Sequence, residues 1–143
     1  NIELARILRV SKPKLFHVYQ GKKIGFKGIF EKPISISSIA KKLNKSLKTK
    51  CSIYSFGKKQ IKSIGIVSGG GSEAIGDCIK EKLDCFVVGE IPLSAYHRAK
   101  DLKLNMVVAG HYATETVGIK ALMPVIKEKF NVQTVFIDNV VDI

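Results

Sequence analysis

From residue 61 onward, short runs of β-branched and aromatic residues alternate with stretches that carry the apolar spacing of helices. Residues 61–67, 85–88, 106–109 and 133–137 predict strands, whereas a stretch from Ser72 to about Lys82, then residues 92–102 and 114–130, predict helices. Strand, helix and strand at these lengths require a right-handed crossover, which lays successive strands side by side in parallel. The expected fold class is therefore α/β: a layered, largely parallel or mixed sheet flanked by helices. Ligands in such sheets gather at the carboxyl ends of the strands. Three motifs fall at those ends: Ser68-Gly69-Gly70-Gly71-Ser72, Gly89-Glu90, and Gly110-His111-Tyr112-Ala113-Thr114-Glu115. One face of the sheet is implicated.

The preceding part reads differently. Residues 1–8 have the pattern of an amphipathic helix, residues 11–14 read as a break, and residues 15–30 give two strand-like pieces punctuated by Gly21, Gly25 and Gly28. Ile36, Ile39, Ala40, Leu43 and Leu47 keep the three-and-four spacing of a helix buried on one side, with Ser35 as its N-cap. Residues 51–56 predict a strand joined to 61–67 around Gly57-Lys58-Lys59, by a tight turn or a longer connection. Pro124 lacks a backbone donor, so it marks a kink or a new start in the last helix.

Charge separates the two parts. Residues 1–62 hold 14 Lys and 2 Arg against Glu3 and Glu31, which is +14, whereas residues 63–143 hold 8 basic and 10 acidic residues, which is −2. The first is a basic α+β part and the second an alternating β/α part that carries the site motifs, within one unit of 143 residues. Lysine meets phosphate as a point charge, while base reading leans on the planar fork of arginine, so nucleic-acid binding by this part would be sequence-blind. Three cysteines (Cys51, Cys78, Cys85) without a Cys-x-x-Cys argue against a disulfide scaffold or a zinc knuckle and for a reducing, cytoplasmic home. No apolar run approaches the roughly 18 residues of a membrane span, and no membrane association is expected. The first residue, Asn1, sits in what reads as the interior of a helix, which suggests a fragment.

At the third motif, residues four apart on a helix project to one side, so His111 and Glu115 converge if the helix begins by then. They either share one cation or serve as a turn histidine and an acidic group at the positive helix end. Gly69, Gly70, Gly71 and Ser72 can present backbone N–H groups to an anion, or form a flexible loop in which Ser72 caps the helix. They match neither a Walker loop nor a dinucleotide turn. Glu90 and His97 can face the same cleft as second carboxylate and imidazole, as candidates for proton transfer; His97 reads equally as a surface histidine, and His17 gets no role. Nitrogen and oxygen donors of this set suit divalent zinc, iron, manganese or nickel.

Val87-Val88-Gly89-Glu90-Ile91, Tyr96-His97, Asn105 and Ala109 to Glu115, preceded by Val67 to Ser72, resemble the carboxyl-terminal part of the NIF-three-like family, the type 2 GTP cyclohydrolase I homologues. The resemblance runs in order over nearly the whole chain. It implies a dinuclear metal site, two ions per complete subunit, whose carboxyl-terminal ligands are matched by His111 and Glu115. It also implies ring-like homohexamers and a hydrolase-like activity on a nucleotide or phosphorylated compound. The family's remaining ligands, a His-His pair and an Asp, belong to an amino-terminal half that this sequence does not contain. The rival expectation is a non-enzymatic oligomeric scaffold or regulator that binds nucleic acid through its Lys-rich part.

Overall fold

The computed structural model describes residues 1–140; the last three, 141–143, lie outside the described residues. The elements in chain order are α1 (Ile2–Leu8), β1 (Ser11–Tyr19), β2 (Lys22–Ser35), α2 (Ile36–Leu47), β3 (Ser52–Tyr54), β4 (Gln60–Val67), a 3-10 turn (Ser72–Ala74), α3 (Ile75–Lys80), β5 (Cys85–Val88), α4 (Leu93–Asp101), β6 (Asn105–Val108) and α5 (His111–Phe130). Six strands form one mixed sheet in the order β1-β2-β4-β5-β6-β3. Its centre, β4-β5-β6, is parallel, and β1, β2 and β3 join antiparallel on either side.

Two-residue periodicity sorts the central side chains onto two faces. Ile64, Ile66, Cys85, Val87 and Val107 point to a core shared with α1 and α2, whereas Val67, Phe86, Val88 and Met106 point to a second core under α3 and α4. A sheet buried on both faces accounts for the apolar runs Cys85–Val88 in β5 and 106–108 in β6. Ser35 caps α2 through its Oγ, which accepts from the Ser38 N–H at 3.2 Å.

Several expectations change. Residues 11–14 are not a break but the irregular start of β1, whose register against β2 shifts between Ser11 and Lys14. The strands expected on either side of Gly57-Lys58-Lys59 form no hairpin: β3 pairs with β6, while β4 lies between β2 and β5. Pro124 lies inside an uninterrupted α5. Residues 133–137 carry no strand and join none of the six described strands; Phe136 instead lies under Lys120 of α5. No described helix is long and apolar enough to cross a membrane.

Candidate functional site

The three parallel strands end side by side, and the loops that follow them meet. Gly69 is the point of contact: its carbonyl accepts from the Gly89 and Glu90 N–H groups at 2.9 and 3.1 Å, and its own N–H donates to Thr114 Oγ1 at 3.0 Å. Thr114 is buried to 2% exposure and sits one residue before Glu115. Gly69 lies at φ 64°, a conformation that favours glycine, and a Cβ added there would stand 2.4 Å from Glu115 Oε1 and 3.0 Å from His111 Nε2 and displace the pair. The hydrogen bonds and the missing side chain together fix the loop against the start of α5.

His111 is the first residue of α5, one turn earlier than the apolar pattern predicts, and Gly110 precedes it at φ 88°. The helix therefore starts soon enough for the four-residue spacing to act. His111 Nε2 lies 3.2 Å from Glu115 Oε1, and Nδ1 lies 2.9 Å from Glu90 Oε1. The imidazole is thus held between two carboxylates on opposite ring nitrogens. The hydrogen bond that the ring gives to Glu90 raises the His111 pKa above its ordinary value; partial desolvation opposes this, and the charge of Glu115 adds to the rise. Because a carboxylate only accepts, Glu90 favours a proton on Nδ1 as Glu115 does on Nε2, and Nε2 would be open to an ion once it gives up that proton. That is how a carboxylate commonly orients a histidine that ligates through its other nitrogen.

The other expected residues divide. Gly69, Gly70 and Gly71 lie in this loop cluster, and a Cβ on Gly70 would stand 3.5 Å from Glu90 Oε1. Two amides of the proposed anion cradle are already engaged, Gly69 N–H by Thr114 and Ser72 N–H by the Gly70 carbonyl at 2.9 Å. Ser72 does not cap the helix with its side chain: Gly71 is the N-cap of the 3-10 turn and Ala74 that of α3, neither with a side-chain hydrogen bond. His97 lies exposed on α4, its ring edge-on to Tyr96 at 5.3 Å, and is not among the residues lining the cleft around His111. Asn105 is buried and structural: its Oδ1 accepts from Gly57 N–H, and its Nδ2 donates to the carbonyls of Lys58 and Asp84. His17, given no role, contacts Asp77 Oδ2 through Nδ1 at 2.8 Å.

The cleft beside His111 has a volume of about 1200 Å³, and its walls include Lys48, Lys50 and Lys120 as well as Glu90 and Glu115. The lysines were not legible as site residues. Ser52 pairs with Val108, so the turn before β3 runs back alongside the segment that follows β6. Only that long-range pairing brings residues 48–50 to His111.

A sequence model of the family described as Duf34/NIF3 (NGG1p interacting factor 3) matches residues 1–142. A relative from Pyrococcus horikoshii, named GTP cyclohydrolase 1 type 2 homolog, is 44% identical over 140 residues, covering 97% of this chain and 56% of that protein. A protein of the same name from Archaeoglobus fulgidus is 33% identical over 138 residues, 96% of this chain and 54% of its own length. Among solved structures, protein ybgI, titled as of unknown function, superposes with a TM-score of 0.86 at 25% identity over 98% of this chain and 55% of that one. TTHA1606 from Thermus thermophilus does so with a TM-score of 0.75 at 29% identity, over 98% of this chain and 54% of that one. The chain spans about half the length of the curated relatives it matches.

Proposed function

The chain belongs to the Duf34/NIF3 family, and on that premise we propose that it supplies one side of a divalent-metal site in a hydrolase-like protein, with His111 and Glu115 as ligands. The observation that carries the reading is the His111 Nε2 to Glu115 Oε1 approach of 3.2 Å, with Glu90 holding the other ring nitrogen. One imidazole and one carboxylate fit zinc, iron, manganese or nickel by donor type. They do not make a whole site: among the described residues no group of three or more His, Cys, Asp or Glu is placed to hold an ion. The remaining ligands would come from the part of the family's length that this chain does not span. The dinuclear centre and the homohexamer implied by the resemblance are parts of the same proposal.

A divalent ion there would supply a water made acidic enough to attack near neutral pH. The chain's own residues would do the rest. Glu90 fixes the His111 tautomer, Thr114 and Gly69 lock the start of α5, and Glu115 lends negative charge to the ligand set. Since a proton and a metal compete for Nε2, acid should release the ion. The name carried by the Pyrococcus and Archaeoglobus relatives favours a nucleotide or another phosphorylated compound as substrate. The rival, sequence-blind nucleic-acid binding by a scaffold, draws less support. Lys27, Lys42, Lys58 and Lys62 already meet acceptors within the chain at Glu81, the Leu8 carbonyl, Asp84 and the Glu31 carbonyl.

The test is metal content in the full-length protein. His111→Ala should lower the bound metal per subunit. Glu115→Gln should lose at least one ion, while its metal-free form melts no lower than the metal-free parent. Full metal retention by both variants would return the pair to a turn histidine and a helix-end charge.

A further inference from the structure

We propose that Lys48, Lys50 and Lys120 form the anion-holding wall of the His111 cleft, so that its substrate is a phosphate-bearing polyanion held there while its other end faces His111. This rests on the hydrolase-like reading of the same site, with its phosphorylated substrate, and adds to it the residues that would hold the phosphate.

Placement comes first. The turn that carries Lys48 and Lys50 is clamped on both sides. Lys48 ends α2 in the left-handed conformation, φ 53°, and Asn44 Oδ1 accepts from the Cys51 N–H at 2.7 Å. Ser52 then enters the β3–β6 ladder opposite Val108. In an antiparallel ladder, residues just before Ser52 lie against residues just after Val108, which are Ala109, Gly110 and His111. Thr49 confirms the alignment, because its Oγ1 would stand 3.3 Å from a Cβ added to Gly110. Lys120 reaches the same cleft from α5, with its ammonium 4.2 Å above the Phe136 ring.

Charge comes second. Among the described residues none of these three lysines has a carboxylate within ion-pair distance, whereas Lys27 and Lys58 do. Lys48, as the C-cap of α2, also lies at the negative end of that helix, whereas Lys50 stands two residues beyond it. The carboxylates of the cleft are committed elsewhere. Glu90 and Glu115 face His111, and Asp138 accepts from the Tyr112 hydroxyl at 2.6 Å. The cleft therefore holds an acidic patch around the imidazole and a separate unpaired basic patch along the turn. Phosphate is the chemistry that unpaired ammonium groups hold as point charges.

The experiment is calorimetric titration of the full-length protein with inorganic pyrophosphate at low ionic strength, both metal-loaded and after chelation. The chelated parent should still bind pyrophosphate. The double variant Lys48→Gln/Lys50→Gln should bind it about 10-fold more weakly or worse, with metal content unchanged. Lys22→Gln/Lys23→Gln, at the β1–β2 turn across the sheet, should stay within about 2-fold of the parent. The proposal is overturned if the chelated parent does not bind, if the cleft variant binds like the parent, or if both doubles weaken binding equally, which would reveal only general charge attraction. Failure of the metal reading shows separately, as full metal content in His111→Ala, whatever the pyrophosphate result.

Discussion

The loops at the ends of the parallel strands and the tip of the β1–β2 hairpin follow opposite rules. Around the ends of β4, β5 and β6 the backbones approach until no side chain fits: a Cβ on Gly89 would lie 2.7 Å from both the Gly69 carbonyl oxygen and Thr114 Oγ1. At the β1–β2 turn a Cβ on Gly21 would meet nothing within 4 Å. The first region holds His111 between Glu90 and Glu115, and the second carries Lys22 and Lys23 on open surface. Position is stored where atoms are crowded, and net charge where they are not.

The comparison breaks most readily at Gly89. Gly89→Ala should destabilise the chain by about 3 kcal/mol in urea unfolding, since the obstacles are backbone and a buried hydroxyl that cannot swing away. A loss below about 1 kcal/mol would mean that the strand-end loops are looser than the contacts imply.

A smaller effect is expected at Asp84, which ties the start of β5 to β4. Its Oδ2 accepts from the Lys62 and Ser63 N–H groups at 3.0 Å each, and its Oδ1 accepts from Lys58. Burial pushes the Asp84 carboxyl up, but Lys58, the two N–H groups and the Ser63 hydroxyl together outweigh it and hold the pKa below the ordinary value. A depressed carboxylate contributes stability that is complete above its unfolded pKa and is lost as pH falls through the folded one. Asp84→Asn should therefore cost about 2 kcal/mol near neutrality and flatten the decline of stability in acid. An unchanged acid profile would remove Asp84 from the account.

The smallest effect is a gain. Gly118 lies in α5 with nothing within 4 Å of an added Cβ, so Gly118→Ala should stabilise the chain by about 0.5–1 kcal/mol, read as a higher melting temperature. A loss there would show that the outer face of α5 is more crowded than the open contacts suggest.

Where local chemistry decides, the sequence was readable. Cys85–Val88 is a strand with the expected bounds because four apolar residues between polar turns leave no other choice. His111 and Glu115 meet because four-residue spacing on a helix is local geometry. What escaped was set at long range. The neighbours of β3 and β4 depend on pairing across the whole chain, and that same pairing brings the lysines of residues 48–50 to the cleft. The start of β1 was obscured by an irregular ladder, with Lys12 at φ 51°. Residues 133–137 have strand composition, but a strand also requires a partner. His97 was placed by its proximity in sequence to Glu90, yet α4 carries it outward to solvent.

The irregular entry to β1 bears on how copies of this chain can meet. At one margin of the sheet, exposed Pro13 removes a donor, Lys12 and Lys14 flank it, and the register shift bends the ladder. At the other margin, β3 is only three residues long. Short, charged or proline-interrupted margins discourage strand-to-strand growth between molecules, the route to fibrous aggregation. Some of the basic excess thus acts as a guard on an exposed rim. Exposed apolar side chains that a second molecule could cover stand both on β1, at Leu15, Val18 and Tyr19, and on α5, at Ile119, Leu122, Val125 and Phe130.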